Sequence, residues 1–320
     1  MKPPYQITNK ILELIASISE KIGEINAAHL YKPPTELRKK NRIKTIQSSL
    51  EIEGNSLSLD QVTAIMDNKR IVAPQKDILE VKNAISAYEN LDDYNPTSLT
   101  SFCKAHSVLM NGLIENAGKI RTRSVGIIKG TNITHIAPPG DIVKSLVKDL
   151  FDYLKKDSDL LLIKSCVFHY EIEFIHPFTD GNGRMGRLWQ TVILRRHSPV
   201  FEFLPIETII KSRQSEYYNI LGESDNKGDS TGFIEFMLQI INSSLEELLA
   251  NQNVNLTFND RITIYKEKIR KSSFTRQDYM REFIDISTAT ASRDLKLAVE
   301  EGILEKTGDK RTTLYKFKKE

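Results

Sequence analysis

The chain has 320 residues, 40% of them hydrophobic, and carries 45 Lys/Arg against 42 Asp/Glu for a formal net charge of +3 at pH 7. That length and apolar content suit about two or three folded domains with a sizeable core, and the near balance of charge excludes a chain-wide polyelectrolyte role. Its two cysteines, Cys103 and Cys166, are too few for a disulfide framework and lack metal-ligand spacing, so they read as small buried hydrophobes of a reducing compartment.

In chain order, Met1-Lys2-Pro3-Pro4 leads into an amphipathic stretch with Glu13, Glu20 and Lys21 in it, which is not a signal peptide. Ile11, Leu12, Ile15, Ile18, Ile22 and Ile25 recur at three- and four-residue steps and predict one long helix before Pro33-Pro34. Helical periodicity continues over 36–53, 59–67, 76–93 and 97–115, broken by Asn95-Pro96. The first of these ends in Ser48-Ser49-Leu50-Glu51-Ile52-Glu53-Gly54-Asn55, where Gly54 is a helix-ending glycine. Glu53 stands at the negative end of that helix dipole, so a partner should compensate it. At 122–137 the pattern changes. Val125, Ile127, Ile128, Ile133 and Ile136 flank Lys129-Gly130-Thr131-Asn132, a β-hairpin signal with a turn at its tip. Helices are predicted again over 141–156, 160–175, 184–196, 212–223 and 230–250. No apolar run approaches the roughly 18 residues a membrane span needs, so a cytoplasmic protein with no membrane partner is expected.

Between two of those helices lies His176-Pro177-Phe178-Thr179-Asp180-Gly181-Asn182-Gly183-Arg184-Met185-Gly186-Arg187. Glycines on either side of Asn182 let the backbone approach an anion closely, and the following helix adds a positive N-terminal end. Arg184 and Arg187 are three apart, so on that helix they share a face and fork onto separate phosphate oxygens. Asp180 stands where a hard cation such as Mg2+ would bridge carboxylate and phosphate. His176, with an ordinary imidazole pKa near 6.5, can take a proton from an incoming hydroxyl.

His-Pro-Phe-x-Asp-Gly-Asn-Gly-Arg-x-x-Arg resembles the signature of the Fic family, and every signature position is matched here. The resemblance implies an all-α fold: a Fic helical bundle with a small β-hairpin flap, the signature loop joining two central helices. It implies transfer of AMP from ATP, with Mg2+, onto a Ser, Thr or Tyr hydroxyl of a protein, self-modification included. Carried over, His176 is the general base, Asp180 the Mg2+ ligand, Gly181, Asn182 and Gly183 the phosphate nest, and Arg184 and Arg187 the clamp. Phe178 is a buried anchor. The hairpin becomes a flap that holds the target segment by strand addition through Ile127, Ile128, Ile133 and His135. Gly118-Lys119-Ile120-Arg121 and Ala137-Pro138-Pro139 resemble the flap's surroundings. Ser49, Glu53, Gly54 and Asn55 resemble the family's inhibitory motif: Glu53 would reach Arg187 and block the γ-phosphate site, and Ser49 would cap or orient the turn. Leu204-Pro205-Ile206 and Arg213 to Leu221 resemble the helix lining the nucleotide base, where at most one of Tyr217 and Tyr218 can face the nucleotide. The expected organisation is an N-terminal helical region with the inhibitory motif at 1–95 and a Fic catalytic domain at 96–252.

From Thr257 onward the chain carries 15 Lys/Arg against 11 Asp/Glu, so the basic surplus sits at this end. Thr275 starts a short helix and the stretch after Ile286 starts another, followed by a two-strand pattern around Gly308-Asp309-Lys310-Arg311. Residues 257–320 resemble a winged helix-turn-helix domain. Arg293 at the start of the second helix suits a major groove, and Lys310 and Arg311 suit phosphates, so both DNA and a docked protein stand as partners. Two functions follow: an auto-inhibited protein adenylyltransferase, or a DNA-binding regulator whose Fic core senses a nucleotide. A bifunctional enzyme that also removes AMP is a variant of the first, with Glu53 positioning a water. The oligomeric state stays open, a homodimer among the options.

Overall fold

The computed structural model describes residues 2–27, 35–124, 126–129, 132–250, 256–269, 273–283, 286–309 and 312–318. They form two compact units, 1–252 and 253–320.

The first unit opens with α1 (Asn9–Ala27) and α2 (Thr35–Ile52), then α3 (Leu59–Met66), α4 (Gln75–Glu89) and α5 (Leu99–Leu109). A two-stranded antiparallel hairpin follows, β1 (Gly126–Lys129) and β2 (Asn132–Ile136), then α6 (Gly140–Lys156), α7 (Leu161–Ile175) and α8 (Asn182–Leu194). After α9 (Ile206–Ser212) and α10 (Gln214–Lys227), α11 (Thr231–Ala250) closes the unit. The all-α expectation holds, with the hairpin in its predicted place.

Burial explains the arrangement. In α6, Val143, Val147, Leu150, Phe151 and Leu154 fall on one stripe and are buried, whereas all thirteen residues of α8 are buried, so α8 runs through the middle against α7. A helix enclosed on every side holds its side chains rigidly. Phe102, Phe151, Phe168, Phe178 and Trp189 stack into one aromatic cluster under the loop between α7 and α8, with ring centroids 5.1–5.7 Å from Phe102. At the chain's start, Ile11, Ile18, Ile22 and Ile25 bury their stripe as α1 packs on α11. Each such isoleucine stabilises by about 1.5–3 kcal/mol. Residues before α1 form a strap: Lys2 Nζ donates to Asp159 Oδ1 at 2.8 Å, and Ser230 N–H to the Pro4 carbonyl at 3.0 Å.

Several boundaries differ from expectation for local reasons. The helix expected over 76–93 ends at Glu89 and continues as a 3-10 turn, and the one over 97–115 ends at Leu109. The helix expected over 212–223 is α10, Gln214–Lys227, and α9, Ile206–Ser212, precedes it as a separate helix that the periodicity does not predict. Arg213 breaks them with φ −115 and ψ 29, its N–H turned back to the Ile209 and Ile210 carbonyls at 3.1 Å. Ser58 supplies the N-cap of α3, with Gln61 completing a capping box.

Glu207, on α9, is 2% exposed, receives the Tyr88 hydroxyl at 3.2 Å, and among the described residues has no hydrogen-bond partner at Oε2. Burial pushes its carboxyl up to about 7 from an ordinary 4.5. The folded state therefore binds more protons than the unfolded one between those two values, and this group's contribution to stability falls as pH rises through that window. Glu207→Gln keeps the shape and removes the ionisation. Its melting temperature relative to wild type should climb between about pH 5 and about pH 8, by the equivalent of roughly 2–3 kcal/mol. A constant difference across the range would contradict it.

The second unit contains α12 (Phe258–Lys268), α13 (Arg276–Glu282), α14 (Thr288–Glu300) and the antiparallel pair β3 (Leu304–Thr307) and β4 (Leu314–Phe317). Thr257 and Thr275 cap α12 and α13 through capping boxes. Tyr265, Phe274, Tyr279 and Phe283 form its core, and Arg261 grips buried Asp294 from α14 at 2.7 and 2.9 Å. The two helices expected from Thr275 and after Ile286, and the two strands after them, are α13, α14, β3 and β4, whereas α12 is not among the expected elements. Lys310 and Arg311, expected at the hairpin tip, lie outside the described residues.

Candidate active site

The loop from His176 to Gly181 leaves α7 and enters α8, and its shape is held from inside. His176 takes a left-handed conformation, φ 50 and ψ 61, which ends α7 and turns the chain. Asn182 then closes the loop on itself: its Oδ1 accepts from the Phe178 N–H and its Nδ2 donates to the Phe178 carbonyl, both at 2.9 Å. The Phe178 ring, fully buried, stacks on His106 with centroids 3.6 Å apart. His106 Nδ1 accepts from the Gly118 N–H at 2.7 Å, which leaves Nε2–H to donate to the Asp180 carbonyl at 2.9 Å. Burial holds His106 neutral, pushing its pKa down to about 4.

Arg121 braces the other side. It is 4% exposed, and its guanidinium donates to four carbonyls: His176 at 2.6 Å, Arg123 at 2.7 Å, Pro138 at 2.8 Å and Ile175 at 3.0 Å. Two of those carbonyls end α7, where the helix dipole favours a cation. One side chain thus ties the His176 backbone to both flanks of the hairpin.

α8 begins at Asn182, two residues earlier than expected, so Arg184 and Arg187 both lie within its first two turns. Gly181, with φ 84, permits the entry turn, where a Cβ would stand 2.7 Å from Met110 Sδ. Gly183 matters for a different reason: a Cβ there would stand 2.3 Å from Glu53 Oε1. The Glu53 carboxylate therefore rests directly on the first turn of α8, where backbone N–H groups and the dipole attract an anion.

Arg187 is 2% exposed and satisfied by the end of α2. Its Nε donates to Ser49 Oγ at 3.0 Å, and its Nη2 to the Ser49 carbonyl at 2.9 Å and to Glu53 Oε1 at 2.8 Å. Burial works against its charge, but Glu53, Tyr217 and Glu173 outweigh it and hold the guanidinium above its ordinary range. Ser49 thus grips the arginine instead of capping the turn. Backbone closes that turn: Asn55 N–H reaches the Leu50 carbonyl and Gly54 N–H the Glu51 carbonyl, the pattern of a helix-ending Schellman motif. Arg184 is pinned between Asp180 Oδ1 at 3.0 Å and Glu80 Oε1 at 3.2 Å.

These groups line one cleft of about 350 Å3, bounded by His176, Asp180, Gly181 to Gly183, Arg187, Glu53 and Glu173, with Tyr218, Asn219 and Asp225 from α10 opposite. His176 Nδ1 faces the Glu173 carbonyl at 3.3 Å; a proton there leaves Nε2 with its lone pair. Glu173 receives the Tyr217 hydroxyl at 3.0 Å, and burial, then the Glu53 charge, pushes its carboxyl up to about 7. Tyr217 is fully buried, whereas Tyr218 is half-buried and donates to the Ile52 carbonyl at 3.4 Å. Asp180 leaves its side chain 51% exposed at the lip. In the hairpin, Ile127 pairs with His135 and Ile128 with Ile133, with a register shift between Ile127 and Ile128. Their side chains lie outside the described residues. Glu80, His106, Arg121 and Glu173 are site residues that the sequence does not single out, although Arg121 ends the Gly118-Lys119-Ile120-Arg121 stretch before the hairpin. None has a spacing signal, since each meets the loop through the fold.

Residues 96–194 match the profile of the Fic/DOC family. A Fic family protein from Desulfovibrio desulfuricans G20 of known crystal structure is 39% identical, with a TM-score of 0.77 over 100% of this chain and 99% of that one. The chain belongs to the Fic family. Among curated relatives, "Protein adenylyltransferase Fic" of Nematostella vectensis is 29% identical across 78% of this chain, and "Protein adenylyltransferase fic-1" of Caenorhabditis elegans is 30% identical across 64%. The chain spans 58% and 40% of their respective lengths. A solved segment of C. elegans Fic-1, 22% identical with a TM-score of 0.62 over 75% of this chain and 72% of that one, shares the fold.

Proposed function

We propose that this protein transfers AMP from ATP to a Ser, Thr or Tyr hydroxyl of a protein, and that Glu53 restrains it through Arg187. The observation that carries the reading is the 2.8 Å contact between Arg187 Nη2 and Glu53 Oε1, lying over Gly183. A carboxylate from the same chain sits where a glycine-lined helix start and a buried arginine would otherwise take a phosphate. The names of the curated relatives support the same chemistry.

In the step itself, the target hydroxyl oxygen bonds to the α-phosphorus and the bond from that phosphorus to pyrophosphate breaks. His176 takes the hydroxyl proton at Nε2. Arg184 and Arg187 hold the phosphate charge, and the Gly181 to Gly183 turn lets backbone N–H groups approach it. Asp180 offers a hard, half-exposed oxygen that suits Mg2+, and among the described residues no group of three metal-type ligands forms an all-protein cage. A Mg2+ ion held by Asp180 would supply neutralisation of charge between the phosphates. β1 and β2 each have one edge without a strand partner among the described residues, which suits an extended target segment. Labelled ATP and Mg2+, incubated with wild type and with Glu53→Gly, test the reading through modified bands.

A second reading concerns residues 253–320. On α14, Thr288, Ala289, Arg293 and Lys296 are exposed along one face while Ala291, Leu295 and Ala298 are buried, and Arg276 of α13 donates to Ser292 beside them at 2.9 Å. This basic, small-residue face suits duplex DNA. Duplex binding by the full chain should weaken about tenfold or more between low and physiological salt, and Arg293→Ala should flatten sequence preference. No binding at low salt would leave this face to a protein partner.

A further inference from the structure

Glu80 lies on α4, outside the signature and outside the inhibitory motif, and is 7% exposed. A carboxylate that deep needs partners, and this one has two, one for each oxygen. Oε2 accepts from Asn55 Nδ2 at 2.8 Å, and Oε1 from Arg184 Nη1 at 3.2 Å. Lys76, exposed at 4.0 Å, adds little. Asn55 is no ordinary client. It is 7% exposed, its Oδ1 holds the Leu57 N–H at 3.1 Å, and its own N–H closes the turn that carries Glu53. Asp77, one turn before Glu80, fastens the same turn through the Ser56 N–H at 3.0 Å.

From this arrangement, and resting on the function proposed above, we infer that Glu80 is a positioning residue that couples the Glu53 brake to the Arg184 clamp. One carboxylate holds the brake turn in place and aims a signature arginine. The physical reason is donor counting. A carboxylate accepts on both oxygens, so it satisfies an amide N–H and a guanidinium N–H together. An amide in its place has one accepting oxygen and one NH2, and its NH2 must face either the Asn55 NH2 or the Arg184 guanidinium. One link is lost whichever way it turns, and the surviving one is weakened, because a neutral amide oxygen is a poorer acceptor than a carboxylate oxygen.

Glu80→Gln therefore has opposite signs in two backgrounds. In the otherwise wild-type chain it loosens the brake, and AMP transfer should rise on the order of fivefold. In the Glu53→Gly background no brake remains, and only the aim of Arg184 is left to lose. There KM for ATP should rise on the order of fivefold with kcat held within about twofold. Asn55→Ala, which cuts the brake link from the other end, should also raise transfer in the otherwise wild-type chain. ATP titrated calorimetrically into both Glu53→Gly forms reads the affinity directly. A merely structural Glu80 predicts transfer falling in both backgrounds along with the melting temperature, and that result overturns the inference. So does an unchanged ATP affinity in Glu53→Gly. A Glu53→Gly enzyme no more active than wild type instead overturns the brake on which the inference rests, and the calorimetric comparison still tests the hold on Arg184.

Discussion

Glu53→Gly is expected to raise AMP transfer about 10- to 100-fold over wild type, the size of effect that follows from freeing a buried arginine from a charge-assisted hydrogen bond. Two changes occur together. Arg187 Nη2 loses the acceptor at 2.8 Å, and the space over Gly183, now filled by Glu53 Oε1, becomes available to a phosphate. The arginine does not collapse, because Ser49 still holds it through both its hydroxyl and its carbonyl. Glu173 changes too. With the Glu53 charge gone, one cause of its raised pKa is removed, so Glu173 ionises more readily. Mass-tagged or radiolabelled ATP reads the transfer, on the protein itself or on added targets. Equal labelling in the two forms would sink the restraint.

In that released background His176→Ala is expected to abolish transfer, by about 100-fold or more, while ATP affinity stays within about threefold. The asymmetry follows from where the imidazole acts, on the hydroxyl proton, with the phosphate charge left to Arg184 and Arg187. A backbone artefact is a real competitor, since His176 sits at φ 50 and alanine tolerates that region poorly. Asparagine tolerates it well, so His176→Asn separates the two explanations. The same loss in both variants assigns it to the missing base. Restored transfer with asparagine assigns it to the turn, and ATP affinity falling in step with transfer makes His176 part of the nucleotide seat.

How much of this was legible in the chain depends on distance along it. The signature is twelve consecutive residues, and helices such as α6 announce themselves by a buried stripe, so both could be read locally. α9 could not, because seven residues of helix carry too little periodicity to read, and Arg213 separates it from α10 by turning its N–H back to the Ile209 and Ile210 carbonyls. Ser49 was expected to cap or orient the turn; its contact with Arg187 could not be read, because only the fold brings the arginine to it from 138 residues away. Glu80, Arg121 and His106 meet the signature loop across 104, 55 and 74 residues. No periodicity encodes such meetings. The partner of Glu53 came from family resemblance, not from physical reading, which said only that a glutamate at a helix end needs compensation.

The 134 residues separating Glu53 from Arg187 belong to one folded unit. The two groups therefore meet at a fixed effective concentration, set by the scaffold and indifferent to how much protein the cell makes. Under the restraint proposed for Glu53, dilution does not release the contact, and neither does overproduction of its arginine partner, because the two are always made one to one. What shifts the balance is a ligand that binds the open cleft better than the closed one, and moving a population from 1:99 to 99:1 takes about 5.5 kcal/mol of such preference. The useful question about any candidate activator is thus how differently it binds the two states, because tight binding to both leaves the population where it was.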